Sequence, residues 1–178
     1  MAPDELIARH HAPTLAGLKC SSLSCLGRKA FSAPELIGTL RIRGLGFRFF
    51  HNAQGCTLLF SYRPLMLEKA LSPQDVEERL AALGYPLGDL EAMLDHLGSR
   101  LEQDDFPHEI GFFLGYPKDD VIAFLERGGR GYLYSGMWKM YHRVEEGKAT
   151  CEKYRRCTLS FLKALESGAR LDELCPAI

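Results

Sequence analysis

The sequence predicts an α+β fold, with a mixed, largely antiparallel sheet of about five strands flanked by helices. Three observations predict it. Strand-like runs occur among five or six helical stretches without the regular alternation of a doubly wound fold. A hairpin signal at Asn52-Ala53-Gln54-Gly55 joins two of them. Leucine-rich stripes at helical spacing fill the middle of the chain.

The elements follow in order. Pro3–His11 reads as a short helical stretch, Thr14–Lys19 as a strand, and Cys20-Ser21-Ser22-Leu23-Ser24-Cys25 as the loop after it. Ser32, followed by Pro34 and Glu35, is placed to cap a helix running to Arg43 and ended by Gly44 and Gly46. Phe47–Asn52 and Cys56–Tyr62 are the β-rich runs of the hairpin. Ser72-Pro73-Gln74-Asp75 then supplies a capping hydroxyl, a proline for the first helical position and a carboxylate for the first turn. Val76, Leu80 and Leu83 form the stripe of that helix, and Gly84 stops it. Leu90, Met93, Leu94, Leu97 and Leu101 form the stripe of the next, and the two are expected to pack antiparallel across Gly84-Tyr85-Pro86.

The last third reads as β-α-β. His108–Leu114 is a strand, Gly115-Tyr116-Pro117 a tight turn, and Lys118–Arg127 a helix with Val121, Ile122, Phe124 and Leu125 inward. Gly128-Gly129-Arg130-Gly131 leads to a strand pair, Tyr132–Ser135 and Met137–Tyr141. A final helix, Val144–Ser167, carries Cys151, Tyr154, Thr158, Phe161 and Leu165 on one face and ends at Gly168.

Composition narrows the function classes. A chain of 178 residues with 46% hydrophobic and 25% charged residues suits one globular domain over residues 1–178 and excludes a disordered chain. Twenty-two basic against 23 acidic residues leave a net charge of −1, so nothing in the overall charge favours nucleic acid or an acidic membrane. No apolar run approaches the roughly 20 residues of a membrane span. Met1-Ala2-Pro3-Asp4-Glu5 lacks the basic and apolar regions of a signal peptide, so a cytoplasmic protein is expected. The six cysteines contain no Cys-x-x-Cys, and Cys151 and Cys157 would differ by about 240° around a helix. Reduced thiols are expected, with no metal site. Neither a cofactor nor an oligomeric state can be read.

Two strings stand out: Pro107-His108-Glu109 and, soon after, Leu114-Gly115-Tyr116-Pro117. With His11-Ala12-Pro13-Thr14-Leu15-Ala16-Gly17-Leu18-Lys19 and Gly136-Met137-Trp138-Lys139-Met140-Tyr141, the chain resembles a bacterial family of unknown function. That family is marked by its Pro-His-Glu and Leu-Gly-Tyr-Pro motifs in a domain of about 180 residues. The resemblance implies domain extent and points to residues without naming a reaction.

On a strand, His108, Ile110, Phe112 and Leu114 share one face, and Glu109, Gly111, Phe113 and Gly115 the other. His108 and Glu109, the candidate catalytic residues, then form no dyad unless a bulge re-aims one. Glu109 would stand at the mouth of a small-residue groove formed by Gly111 and Gly115, or pair with a basic neighbour while the glycines admit a packed helix. Tyr116 could offer a phenolic hydrogen bond to a ligand or cap the sheet. Asp119 and Asp120, in a first helical turn, make that terminus a poor phosphate site. Lys19, beside Ser21, Ser22 and Ser24, could hold an anionic group, although no Walker A loop is present. Of His10 and His11, at most one can face a shared pocket, and His11 lies in the family-like string. Arg127–Gly131 could grip a phosphate or merely end a helix.

The expectation is a small polar-ligand-binding domain, possible as an enzyme, with His11, Lys19, Glu109 and Tyr116 around one cavity and His108 as acid or base. Two other readings stay open. One is a metal- or haem-handling protein, from six His and six Cys without ligand spacing. The other is an interaction module using helices over Leu65–Leu101, if they leave an apolar patch uncovered.

Overall fold

The computed structural model describes residues 2–28 and 33–176. Its organising element is the central strand of a three-stranded antiparallel sheet. We label the strands β1 (Ser21–Gly27), β2 (Gly46–His51) and β3 (Thr57–Tyr62), and their order is β1-β3-β2. β3 pairs with β1 in the register Ser21 to Tyr62 through Cys25 to Leu58, and with β2 from Gly46–Tyr62 to His51–Thr57. A strand with a neighbour on each side and a layer over each face must be apolar almost throughout, and Leu58, Leu59, Phe60 and Tyr62 are all buried.

Alternation along β3 splits the interior into two cores. Leu58, Phe60 and Tyr62 point to the larger, with α3 (Pro64–Leu71), α4 (Gln74–Ala82), α5 (Leu90–Leu101), α6 (Ile110–Phe113) and α7 (Lys118–Arg127). Leu59 points to the other, with α1 (Pro3–Leu15), α2 (Pro34–Ile42) and α8 (Val144–Glu166). A second, two-residue ladder pairs β4 (Tyr134–Ser135) with β5 (Lys139–Met140). The fold is α+β as expected, with the five strands of the described residues divided between two sheets.

Most elements lie where periodicity and turn chemistry put them. The hairpin closes as its turn residues require: Asn52 Oδ1 accepts from the N–H of Cys56 at 2.8 Å, and Gly55 takes φ 73°. Val76 and Leu80 of α4 and Met93, Leu94 and Leu97 of α5 enter one core, with the Tyr85 ring edge-on to His96 between them. Leu83 is exposed because α4 has already ended; the Tyr85 N–H closes on Leu80 O at 3.0 Å around Gly84 at φ 84°. Ser72 donates back to Lys69 O at 3.0 Å, finishing α3, so it does not cap α4. The expected cap at Ser32 lies outside the described residues. Leu67, Leu71, Leu80, Leu94, Leu97 and Leu101 are buried, while Leu65, Leu83 and Leu87 are exposed.

Three expectations are corrected. Thr14–Lys19 is not a strand: α1 runs through Pro13 to Leu15, at the cost of one hydrogen bond to the carbonyl of Arg9, an exposed residue. The serine-rich segment after it is not a loop but β1. Its hydroxyls satisfy buried partners, Ser22 with Thr14 at 2.8 Å, Ser24 with His11 at 2.8 Å, and Ser21 with Phe113 O at 2.5 Å. His108–Leu114 is not a strand either. The N–H groups of Ile110, Phe112 and Leu114 close on Pro107, Glu109 and Ile110 carbonyls, and Ile110, Gly111, Phe112 and Phe113 are all buried. An apolar run enclosed on every side carries no period that separates strand from helix. Among the described residues no helix is long and apolar enough to cross a membrane.

Candidate functional site

The chain reverses sharply after α1, and the reversal delivers Lys19. Gly17 adopts φ 72°, and the N–H groups of Leu18 and Lys19 both donate to Pro13 O, at 2.8 and 3.1 Å. Arg63 takes further carbonyls of the last turn: its Nε donates to Thr14 O at 2.8 Å and its Nη2 to Leu15 O. With its backbone pinned, Lys19 is only 7% exposed, and its Nζ lies 5.3 Å from the centre of the Tyr116 ring. Among the described residues the ammonium has neither a carboxylate partner nor a hydrogen-bond acceptor. Burial lowers its pKa from 10.5 to about 8, partly opposed by the Cys20 and Cys151 thiols.

Lys19 lines a cleft of about 690 Å³, within the range of small-molecule sites. The outer strand β1 contributes Ser22 and Leu23, α1 contributes Arg9 and His10, and α8 contributes Cys151 and Tyr154. The β4–β5 hairpin closes another side with Tyr134, Gly136 and Met137. The other cations of the lining are already paired. Arg9 donates to Glu5 at 2.8 Å, Lys148 to Glu145 at 2.9 Å, and Arg155 to both oxygens of Glu152 at 2.8 and 2.9 Å. Hence the positive charge left for a ligand is that of Lys19.

A chain of contacts holds Tyr116 beneath it. Tyr116 stacks on Trp138, ring centres 5.3 Å apart and planes at 25°. Trp138 Nε1 donates to Asp120 Oδ2 at 2.8 Å, and Asp120 Oδ1 accepts from the N–H groups of Tyr141 and His142, both at 2.9 Å. The first turn of α7 therefore anchors β5, and β5 positions the aromatic floor. The Tyr116 hydroxyl has no hydrogen-bond partner among the described residues.

Of the residues singled out in the sequence, Lys19 and Tyr116 meet in this cleft, and His11 and Glu109 are not in its lining. His11 lies in the core, with Nδ1 bonded to Ser61 Oγ at 2.7 Å and Nε2 to Ser24 Oγ at 2.8 Å; burial drives its pKa down to about 3. Its neighbour His10 lines the cleft instead. Glu109 is 2% exposed, ion-paired with Arg100 Nε, and accepts from the Tyr85 hydroxyl at 3.0 Å. In a helical turn successive side chains diverge by about 100°, so His108 points outward while Glu109 points in. The His108 ring packs against Phe106 and Phe124 at the edge of a second cavity of about 350 Å³.

The two glycines admit protein side chains. A Cβ on Gly111 would come within 2.9 Å of Val121 Cγ2, and one on Gly115, at φ 67°, within 2.6 Å of Cys20 Sγ. Gly111 also borders the second cavity. Sequence reasoning missed Tyr154, Arg63 and the role of Asp120. Asp120 follows Asp119 in the same first turn, and nothing in their order marks which is buried. The glycine-rich 128–131 segment ends α7: Gly128 is left-handed at φ 57°, and Gly129 O accepts from Lys139 Nζ at 3.0 Å. All six cysteines are free, and among the described residues no group of three His, Cys, Asp or Glu side chains could hold a metal ion.

Fold and cleft together define a three-layered α+β protein with a buried, unpaired lysine beside the outer strand of its sheet. Residues 7–175 match the family of proteins of unknown function DUF3793, and the chain belongs to that family. The extent of the match agrees with the resemblance drawn from the motifs. No curated protein and no solved structure matches the chain.

Proposed function

We propose that this protein is a small-molecule-binding domain whose cleft receives an organic anion, with Lys19 as its anchor. The observation that carries this reading is the Lys19 ammonium, almost wholly buried and without a counter-charge. An uncompensated buried charge is costly, so it is retained where a partner of opposite sign completes it. Tyr116 adds a phenolic hydroxyl without a hydrogen-bond partner among the described residues. Six free thiols accord with the cytoplasmic setting expected from the sequence.

The test is a thermal-shift panel of inorganic phosphate, acetate, succinate and benzoate against the wild-type chain and Lys19→Met. Anions should raise the melting temperature of the wild-type chain and leave K19M unmoved. Equal shifts in both would remove Lys19 from the site.

A second reading, chemistry on the ligand, is favoured by the lowered Lys19 pKa, which leaves part of the amine neutral near pH 8. The neutral amine would add to an aldehyde or ketone and lose water to form an imine. Incubation with glyoxylate and cyanoborohydride, followed by peptide mass mapping, should then modify Lys19 before the other lysines.

A further inference from the structure

We infer that the cleft and the neighbouring cavity form one bipartite site for an amphiphilic organic anion, its charged group at Lys19 and its apolar body between Trp138 and Phe124. This inference rests on the anionic reading above and adds the class of ligand. The two cavities are adjacent, since Leu23, Leu114, Tyr116, Gly136 and Met137 line both. Their chemistry differs. The larger holds the free ammonium. The smaller, of about 350 Å³, is walled by Ile110, Val121, Phe124 and Trp138.

Two charged side chains in the smaller cavity are committed elsewhere. Asp120 is occupied by the Trp138 indole and two backbone N–H groups. Lys139 donates to Gly129 O at 3.0 Å, and its Nζ lies 4.6 Å from the centre of the Tyr132 ring. A purely polar ion would satisfy Lys19 and leave this apolar annex wet, whereas an anion with a hydrocarbon body removes both deficits. Tyr116, with Lys19 near one face and Trp138 stacked on it, marks the junction between charged head and apolar body.

Trp138 is the only tryptophan in the chain and lines the annex, so its emission reports occupancy. The full chain is titrated with acetate, butanoate, hexanoate and octanoate, with the matching 1-alkanols, and with alkyl phosphates of the same lengths. The dissociation constant should fall roughly fourfold per methylene until the annex is full, with a growing change in Trp138 emission. Each anion should bind at least about tenfold more tightly than its alkanol. The better head group of the two series then identifies carboxylate or phosphate.

In Lys19→Met, the anions should bind only as well as the alkanols. Should K19M not fold, the pH profile decides: affinity for octanoate, but not for octanol, should fall above about pH 8. Acetate and inorganic phosphate binding as tightly as their long-chain analogues would overturn the bipartite site and leave the anionic reading standing. Octanoate and octanol binding alike, in wild type and K19M, would overturn both.

Discussion

The indole nitrogen of Trp138 and the carboxylate of Asp120 meet at 2.8 Å, and through this bond α7 holds the hairpin whose Gly136 and Met137 line the cleft. The same carboxylate fixes the two residues before Arg143, which enters α8 with φ 42°, a conformation uncommon for a non-glycine residue. Asp120 thus secures both the aromatic floor and the joint into the last helix.

Removing that carboxylate should loosen the hairpin. Asp120→Ala leaves an indole and two backbone donors without their acceptor and should cost roughly 2–5 kcal/mol, read by urea denaturation. Asp120→Asn retains one acceptor oxygen and should cost about half as much. Both should red-shift Trp138 emission. An unshifted spectrum in D120A would show that packing alone holds the indole.

Lys19 should make the protein less stable at neutral pH than an apolar replacement would. Its folded pKa, about 8, lies below its ordinary 10.5, so the unfolded chain binds this proton more tightly. Stability from this group therefore rises with pH between about 8 and 10.5, and the full penalty applies below 8. K19M should be more stable than wild type at pH 7, by roughly 2–3 kcal/mol, with the gap closing toward pH 10.5. A K19M chain less stable than wild type at pH 7 would show that the ammonium is compensated.

His11 predicts the acid limb of stability. Its folded pKa of about 3 lies below its ordinary 6.5, so acid protonates the unfolded chain first. Stability should fall as pH drops from 6.5 toward 3, by up to about 1.4 kcal/mol per pH unit. Chemical denaturation across that range checks it. His11→Ala should flatten the dependence while costing roughly 2–4 kcal/mol at pH 7, because Ser24 and Ser61 lose their partner.

Glu109 should matter for stability and not for binding. Glu109→Gln removes the charge facing Arg100, whose side chain is 24% exposed, and should cost about 1–3 kcal/mol. Octanoate affinity should stay within about twofold. A folded E109Q that no longer binds octanoate would put Glu109 in the functional machinery.

The helices and the hairpin were legible because their signals are local. Gly84, Gly128 and Gly168 end helices, Asn52 and Gly55 close a turn, and the leucines of α5 keep a helical period. β1 was not legible, because serines are weak strand formers and their fitness here depends on Thr14, His11 and Phe113, distant or buried partners. The sequence of α6 reads as a strand because burial on all sides erases its period. The placement of the four candidate residues follows a related logic. Lys19 and Tyr116 converge, but strand alternation was the wrong rule for Glu109, and one step around α1 separates His10 in the cleft from His11 in the core.

The first helix packs along the last. Ile7, Ala12 and Leu15 of α1 share their core with Phe161 and Leu162 of α8. A chain emerging from the ribosome presents those early apolar residues long before their cover exists. The larger core, built from Cys20 and from residues between Phe50 and Val121, can assemble first, leaving the rest of the amino-terminal layer exposed to chaperones until synthesis has passed α8.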